Sequence, residues 1–264
     1  MNKKFLSKIN DSRYFGTPYG RIFTRSVLSD DQITQANFGL FMDSVEKTGG
    51  VVLDAHPGVV DIFATETLCL RQPQVKRALL PIAASFYYSV FWFHFLKQLK
   101  SVFGLLLVYR KEEFGYTDLK VTDFTGATNE EMHQVNKEYM EAAEKAVATP
   151  GTIVVLAPYG GQHVRKVWFR KGVTRLLTPD VPVLFTINRW EMMQMRFVTY
   201  AGGCRRFTKQ ELTPAAFHQI CVEEFLQLHR RAGLKRSLTK KVSQPLYLKV
   251  YTQLLSKLMK VFRR

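Results

Sequence analysis

Residues 49–63 read GGVVLDAHPGVVDIF, and this stretch decides the class of fold. The apolar residues 51–53 predict a short buried strand that begins after a pair of glycines. A His-Pro-Gly turn ends the strand, and residues 61–70 predict the helix that follows it. His56 and Asp61 therefore stand at the two ends of a strand-to-helix loop.

The alternation of strands and helices continues along the chain. We expect helices over residues 30–46 and 129–148, and buried strands over 105–109, 152–156 and 181–187. This order of elements predicts an α/β domain with a mixed or parallel central sheet flanked by helices.

The composition fits one packed domain that meets phosphate-bearing partners. The 264 residues are 46% hydrophobic and 23% charged, and 38 Lys and Arg against 22 Asp and Glu give a formal net charge of +16. Such a surface favours anionic lipid, cofactor phosphates or nucleic acid. The three cysteines have no metal-type spacing, which favours a reducing, cytosolic setting without a disulfide framework.

Basic segments are predicted on both sides of the domain. We assign residues 1–30 to a basic amphipathic arm, 31–228 to the central domain and 229–264 to a basic amphipathic tail. The chain has no acidic residue after Glu224. The tail is therefore expected to lie on an anionic membrane surface, on the cytoplasmic side. Nucleic acid is the competing target, but no nucleic-acid-binding motif accompanies the charge, so it is not the expected partner.

One apolar stretch could reach across a bilayer. Residues 78–96 contain no Asp, Glu, Lys or Arg. Pro81, His94 and many aromatic side chains favour a helix that is buried in the core or lies at the interface over one that spans. The first residues of the chain are basic without a following apolar run, which argues against a cleaved secretory signal.

His56 and Asp61 are the candidate catalytic pair. A carboxylate at this spacing can hydrogen-bond one imidazole nitrogen and leave the other free as a general base. The alternative is structural, with the histidine at a strand end and the aspartate as a helix N-cap. No serine-hydrolase elbow, P-loop or dinucleotide-binding turn is present. The scattered histidines give no metal-ligand spacing, so neither a metal nor a resident cofactor is expected.

Four blocks in the same order resemble the glycerolipid and lysophospholipid acyltransferase family. The first is GGVVLDAHPGVVDIF, which is similar to the family's catalytic His-x4-Asp motif at His56 and Asp61. The second, GLLLVYR, is similar to the glycine-to-arginine motif from Gly104 to Arg110. The third is LAPYGGQ, and the fourth is VPVLFTIN, which follows FRKG. The resemblance covers residues 41–188 and implies a glycerol-3-phosphate acyltransferase-like fold.

The resemblance also implies roles for residues outside the pair. Arg110 is expected to bind the acceptor headgroup, and Lys171 to supply positive charge for a phosphate. Tyr159, Gly160 and Gly161 lie in the third block, which implies a part in substrate binding. There Tyr159 replaces a glutamate of the family's Phe-Pro-Glu-Gly-Thr-Arg, and Gly161 and a glutamine replace its threonine and arginine, so the usual acceptor-binding pair is missing.

These observations predict a membrane-associated acyltransferase of lipid metabolism. Acyl-CoA or an acyl-carrier protein is the expected donor and co-substrate, and a lysophospholipid or another glycerol-based lipid is the expected acceptor. The altered third block leaves a second hypothesis, in which the chain is a catalytically degenerate lipid-binding protein of the same fold.

Overall fold

The computed structural model describes residues 25–55, 61–83, 104–109, 128–159 and 172–234. Its strands are β1 (Val27–Leu28), β2 (Gly50–Asp54), β3 (Arg77–Ala83), β4 (Gly104–Val108), β5 (Thr152–Leu156), β6 (Val183–Glu191) and β7 (Arg196–Arg205). Its helices, in the part of the chain that is described, are α1 (Gln32–Lys47), α2 (Ile62–Leu70), α3 (Asn129–Val147), α4 (Gly172–Leu176) and α5 (Pro214–Arg231).

The seven strands form one mixed sheet in the order β1-β7-β6-β2-β5-β3-β4. The five strands from β6 to β4 in this order are mutually parallel. β7 is antiparallel to β6, and the two-residue edge strand β1 runs parallel to β7. The predicted α/β class with a mixed central sheet flanked by helices is confirmed.

β2 lies at the centre because it is apolar on both faces. Val52 packs in a core beneath α1 and α2, while Val51 and Leu53 pack in a second core beneath α3, α4 and α5. A parallel strand covered on both faces is expected to read as a continuous apolar run. The Val-Val-Leu run therefore fits an interior position rather than an edge.

Side-chain caps fix where two of the helices begin. Asp31 accepts a hydrogen bond from the Thr34 backbone N–H at 2.9 Å at the start of α1. Thr128 and Glu131 form a reciprocal capping box at the start of α3. These bonds satisfy backbone N–H groups that the first turn of a helix leaves without a partner.

The first part of the apolar stretch 78–96 is a strand, so the helix expected there is wrong for these residues. Residues 77–83 form β3, between β5 and β4. A short apolar run without periodicity is equally compatible with a buried strand. Pro81 is tolerated there because the pairing with β5 ends at Leu79, so that only β4 pairs with β3 at this point. The rest of the stretch, 84–96, lies outside the described residues.

Two elements extend past the limits expected for residues 31–228, and the division of the chain into three segments stays a prediction. β1 takes Val27 and Leu28 out of the segment assigned to the basic arm and places them in the sheet. α5 continues to Arg231, beyond the limit set at residue 228. Within the described ranges, no helix combines the length and the apolar composition needed to cross a membrane.

Candidate active site

Three of the sequence blocks meet at one edge of the sheet. β2, β4 and β5 are parallel, so their carboxyl ends lie on the same side. In the chain, Asp54 at the end of β2 leads to His56, Val108 at the end of β4 leads to Arg110, and β5 leads to Tyr159. The topology therefore places the strands of the first, second and third blocks with their ends on the carboxyl edge, where β2 and β5 are neighbours and β3 lies between β5 and β4.

The ends of β2 and β5 also form a topological switch point. The two strands are neighbours, with Leu53 paired to Leu156. The chain leaves β2 for α2 on one face of the sheet, and after β5 it next reaches α4 on the opposite face. Open α/β sheets bind ligands in the crevice that such diverging connections create. This position is the candidate active site.

Asp61 stands immediately before α2, the helix that follows β2 in the chain. It is 1% exposed, and its backbone carbonyl accepts the Ala64 N–H at 2.8 Å. Its side chain makes no capping hydrogen bond to the helix, although it stands at the N-cap position. The structure thus does not use the Asp61 carboxylate as the helix cap that the structural alternative assumed.

A buried polar network joins the carboxyl end of β2 to α2 and to the strands β6 and β7. Oδ2 of Asp54 accepts hydrogen bonds from Thr65 Oγ1 at 2.6 Å, Thr186 Oγ1 at 2.9 Å and Asn188 Nδ2 at 3.0 Å. Asn188 Nδ2 also donates to Thr65 Oγ1 at 2.8 Å, and Thr199 Oγ1 donates to Asn188 Oδ1 at 2.6 Å. All five side chains are buried.

This network sets the position of α2 relative to the sheet. Thr65 belongs to the helix that Asp61 precedes, whereas its partners Asp54 and Asn188 belong to β2 and β6. A satisfied polar network in a low-dielectric interior specifies one arrangement of its elements, because each alternative leaves a buried group without a partner. The network therefore holds Asp61 in a fixed relation to the end of β2.

α2 also carries a second carboxyl group, that of Glu66, into the core. Glu66 is fully buried, and neither of its carboxyl oxygens has a hydrogen-bond partner in the described part of the chain. Burial raises the pKa of Glu66 well above its usual range.

Burial, together with the nearby Glu66 and Asp54 carboxyl groups, also raises the pKa of the Cys69 thiol. Cys69 is therefore held as the thiol and is poorly suited to act as a nucleophile.

Tyr159, which takes the place of the family's glutamate, turns its side chain into the second core. It is 5% exposed, and its hydroxyl forms a 3.1 Å hydrogen bond with Nδ1 of His218 on α5. Its ring makes an edge contact with Phe225. Burial, with the neighbouring Cys221 thiol, raises the pKa of Tyr159, so the hydroxyl stays protonated.

The residue before Arg110 is fixed by a helix side chain. The Tyr109 backbone N–H donates to Asn136 Oδ1 at 2.8 Å, and Asn136 Nδ2 donates back to the Tyr109 carbonyl oxygen at 2.8 Å. Asn136 on α3 thus extends the pairing at the end of β4 by one residue. Two hydrogen bonds thus fix the backbone of Tyr109, the residue that precedes Arg110.

Of the expected site residues, Asp61 and Tyr159 are the two that the structure describes. His56, Arg110, Gly160, Gly161 and Lys171 lie outside the described residues, and their roles stay predictions. Asp54, Thr186 and Asn188 were not among the expected residues. The signal available for them was the polar pair Thr186 and Asn188, two residues apart in the run VLFTIN, whose other residues are apolar. This spacing places both on one face of the strand.

Within the described ranges, no group of three or more His, Cys, Asp or Glu side chains is arranged to hold a metal ion. Comparison of the chain with models of protein families and with curated proteins finds no match.

Proposed function

We propose that the protein is a membrane-associated acyltransferase that moves an acyl chain from a thioester to a hydroxyl group of a lysophospholipid or another glycerol-based lipid. The proposal includes the glycerol-3-phosphate acyltransferase-like fold, to which the mixed α/β sheet is suited. The observation that carries it is the placement of Asp61. Its buried side chain stands at a topological switch point, directly after the loop that begins with His56, and does not cap its own helix.

In this proposal His56 is the general base and Asp61 orients it. The imidazole takes the proton of the acceptor hydroxyl as the hydroxyl oxygen attacks the thioester carbonyl carbon. The tetrahedral intermediate then collapses, the carbon–sulfur bond breaks, and the imidazolium returns the proton to the leaving thiolate. General-base assistance of this kind is worth about 10²- to 10⁴-fold in rate.

Other residues are proposed to stabilise the developing oxyanion and to bind phosphate. Backbone N–H groups at Gly58 or at Gly160 and Gly161 are the candidate donors to the developing oxyanion. Arg110 and Lys171 supply positive charge for phosphate on the acceptor or on the carrier arm of the donor. No covalent acyl-enzyme is needed, which agrees with the protonated state of the Cys69 thiol.

The test is acyl transfer from labelled acyl-CoA, and from acyl-carrier protein, to a panel of lysophospholipid, glycerol-phosphate and neutral lipid acceptors. We expect His56→Ala and Asp61→Asn each to lower the rate by at least about 10²-fold. His133→Ala and Asp43→Asn are the matched controls, because both side chains are exposed on helices and neither belongs to a sequence block that carries the proposed site. The controls are expected to retain the wild-type rate.

A rate in His56→Ala equal to that of its control would exclude the mechanism. Stoichiometric lipid binding without turnover for any donor or acceptor would instead support the second hypothesis, a lipid-binding protein that has lost catalysis. The replacement of the family's glutamate by Tyr159, whose hydroxyl is engaged by His218, is the observation that favours this alternative.

A further inference from the structure

The hairpin formed by β6 and β7 projects from the carboxyl edge of the sheet. Asp54, the last residue of β2, is paired with Thr186 of β6, and β6 continues from there to Glu191. At about 3.3 Å per residue, the two-stranded ribbon extends about 17 Å beyond the end of β2. It therefore stands beside the candidate active site and rises past it.

The end of this ribbon is apolar and exposed. We call the side chains of Trp190, Met192, Met193 and Met195 the hairpin tip. Met193 is 91% exposed, Met192 76% and Met195 49%. Single exposed apolar side chains are common on soluble surfaces, but a contiguous group on one projecting turn marks an interaction site.

The hairpin tip is held in a fixed shape. The Met195 N–H donates to the Met192 carbonyl oxygen at 3.2 Å across the turn. The Trp190 ring packs on Phe197 with centroids 5.0 Å apart. The Glu191 carboxylate bridges Arg189 at 2.8 Å and Arg196 at 2.9 Å, and hydrogen bonds from these two arginines lower the pKa of Glu191. A preorganised backbone turn loses little backbone conformational entropy when it binds.

The two basic segments join the domain next to this hairpin. Val27 of β1 is paired with Val198, close to the start of β7. After α5, where the chain continues towards the basic tail, the Ala232 carbonyl oxygen accepts a 3.3 Å hydrogen bond from Arg189 of the hairpin. Residues 1–24 carry five Lys and Arg and one Asp, and residues 235–264 carry nine Lys and Arg and no acidic residue.

We infer that the hairpin tip docks this protein on an anionic lipid bilayer, with the three methionines in the boundary between headgroups and acyl chains and Trp190 at the interface. Trp is favoured at that depth, and Lys and Arg close to the surface are attracted to anionic headgroups. The choice of a lipid rather than a protein partner rests on the proposed function. Docking through this edge turns the candidate active site towards the membrane that holds the acceptor.

The test is flotation of the full chain with two kinds of vesicle, phosphatidylcholine alone and phosphatidylcholine with about one third phosphatidylserine. We expect the double variant Met192→Gln, Met193→Gln to lower the partition coefficient for the anionic vesicles at least about tenfold, because two apolar side chains no longer gain by leaving water. The matched control is Ile33→Gln, Leu40→Gln, which replaces two exposed apolar side chains of α1. It is expected to bind within about twofold of the wild type.

Unchanged vesicle binding in the hairpin variant, or an equal loss in the control, would overturn the inference. So would a loss of self-association in sedimentation without a loss of vesicle binding, since that result assigns the tip to a second copy of the chain. Thermal unfolding checks that both variants fold. Flotation uses no acyl donor, so an inactive protein that docks through the hairpin disproves only the acyl transfer. An enzyme active on detergent-dispersed acceptor whose hairpin variant still floats disproves only the docking.

Discussion

Thr65 Oγ1 donates a 2.6 Å hydrogen bond to Oδ2 of Asp54, and this bond joins the start of α2 to the carboxyl end of β2. Both side chains are buried, and they come from the two elements that flank the candidate catalytic loop. The relative position of these elements thus depends on a polar contact in addition to apolar packing.

Replacing this donor is expected to destabilise the domain. Thr65→Val keeps the shape of the side chain but removes one donor to the Asp54 carboxylate and one acceptor of the Asn188 amide. Asp54 and Asn188 keep their other partners but each loses one buried hydrogen bond, which should cost about 1–3 kcal/mol in the free energy of unfolding. Urea denaturation measures the difference. The control is Thr178→Val at an exposed position, and equal stabilities of the two variants would contradict the role of the network.

Glu66 is expected to make the stability of the protein depend on pH. The pKa of Glu66 is higher in the folded protein than the value of 4.5 in the unfolded chain. The free energy of unfolding is therefore greatest below pH 4.5, where the carboxyl group is protonated in both states. Above that pH the unfolded chain ionises while the folded protein keeps the proton. The free energy of unfolding then falls by about 1.4 kcal/mol per pH unit until the folded pKa is reached.

Glu66→Gln should remove this slope, because the amide cannot ionise. Relative to the wild type, the variant should gain stability as the pH rises from 4.5 towards neutrality, as measured by urea denaturation at several pH values. Glu46→Gln on α1, whose side chain is exposed, provides the comparison. Parallel pH profiles for the wild type and Glu66→Gln would show that the buried carboxyl is not the source.

The hydrogen bond between Tyr159 and His218 is expected to appear as a coupling energy. Tyr159→Phe removes the hydroxyl and should cost about 0.5–1.5 kcal/mol of unfolding free energy, the usual net value of one hydrogen bond. In a double-mutant cycle with His218→Ala, the two losses should add up to more than the loss in the double variant. Additive losses would mean that the contact contributes nothing in solution.

Two glycines should respond to alanine in opposite directions. A Cβ at Gly104 would lie 2.3 Å from the Ala78 carbonyl oxygen, so Gly104→Ala must displace a neighbouring strand and should cost about 1–3 kcal/mol. Gly39 lies inside α1, where a Cβ would meet no atom within 4 Å, and Gly39→Ala should stabilise by about 0.5–1 kcal/mol. Thermal melting of both variants distinguishes backbone crowding at Gly104 from a general effect of the added methyl group.

The interior of the sheet was predictable because its strands are short apolar runs between turn signals. The expected strands at 152–156 and 105–109 correspond to β5 and β4, and the expected helix at 129–148 corresponds to α3. Each of these segments combines a clear pattern with a clear stop. Local propensity and tertiary packing agree there, so the pattern alone was sufficient.

β3, β7 and α5 were not predicted. β3 begins an apolar stretch that has no period, so its length suggested a helix. β7 contains two glycines, which are unfavourable in strands. α5 carries apolar residues at helical spacing, Phe217, Cys221, Phe225 and Leu228, so a signal was present there and was missed. In the candidate site, the loop position of Asp61 followed from the sequence. The contacts of Asp54 did not, because Thr186 and Asn188 reach it from a strand that lies far away along the chain.

The position of β2 at the centre of the sheet has a consequence for synthesis on the ribosome. Val51 is paired on one side with Val154 and on the other with Val183, so both neighbours of the central strand are made about a hundred residues or more after it. At about 5–20 residues per second, this interval is roughly 5–25 seconds. Throughout that time the apolar central strand of the nascent chain has two open edges, and its safe completion depends on how well the emerging polypeptide is shielded.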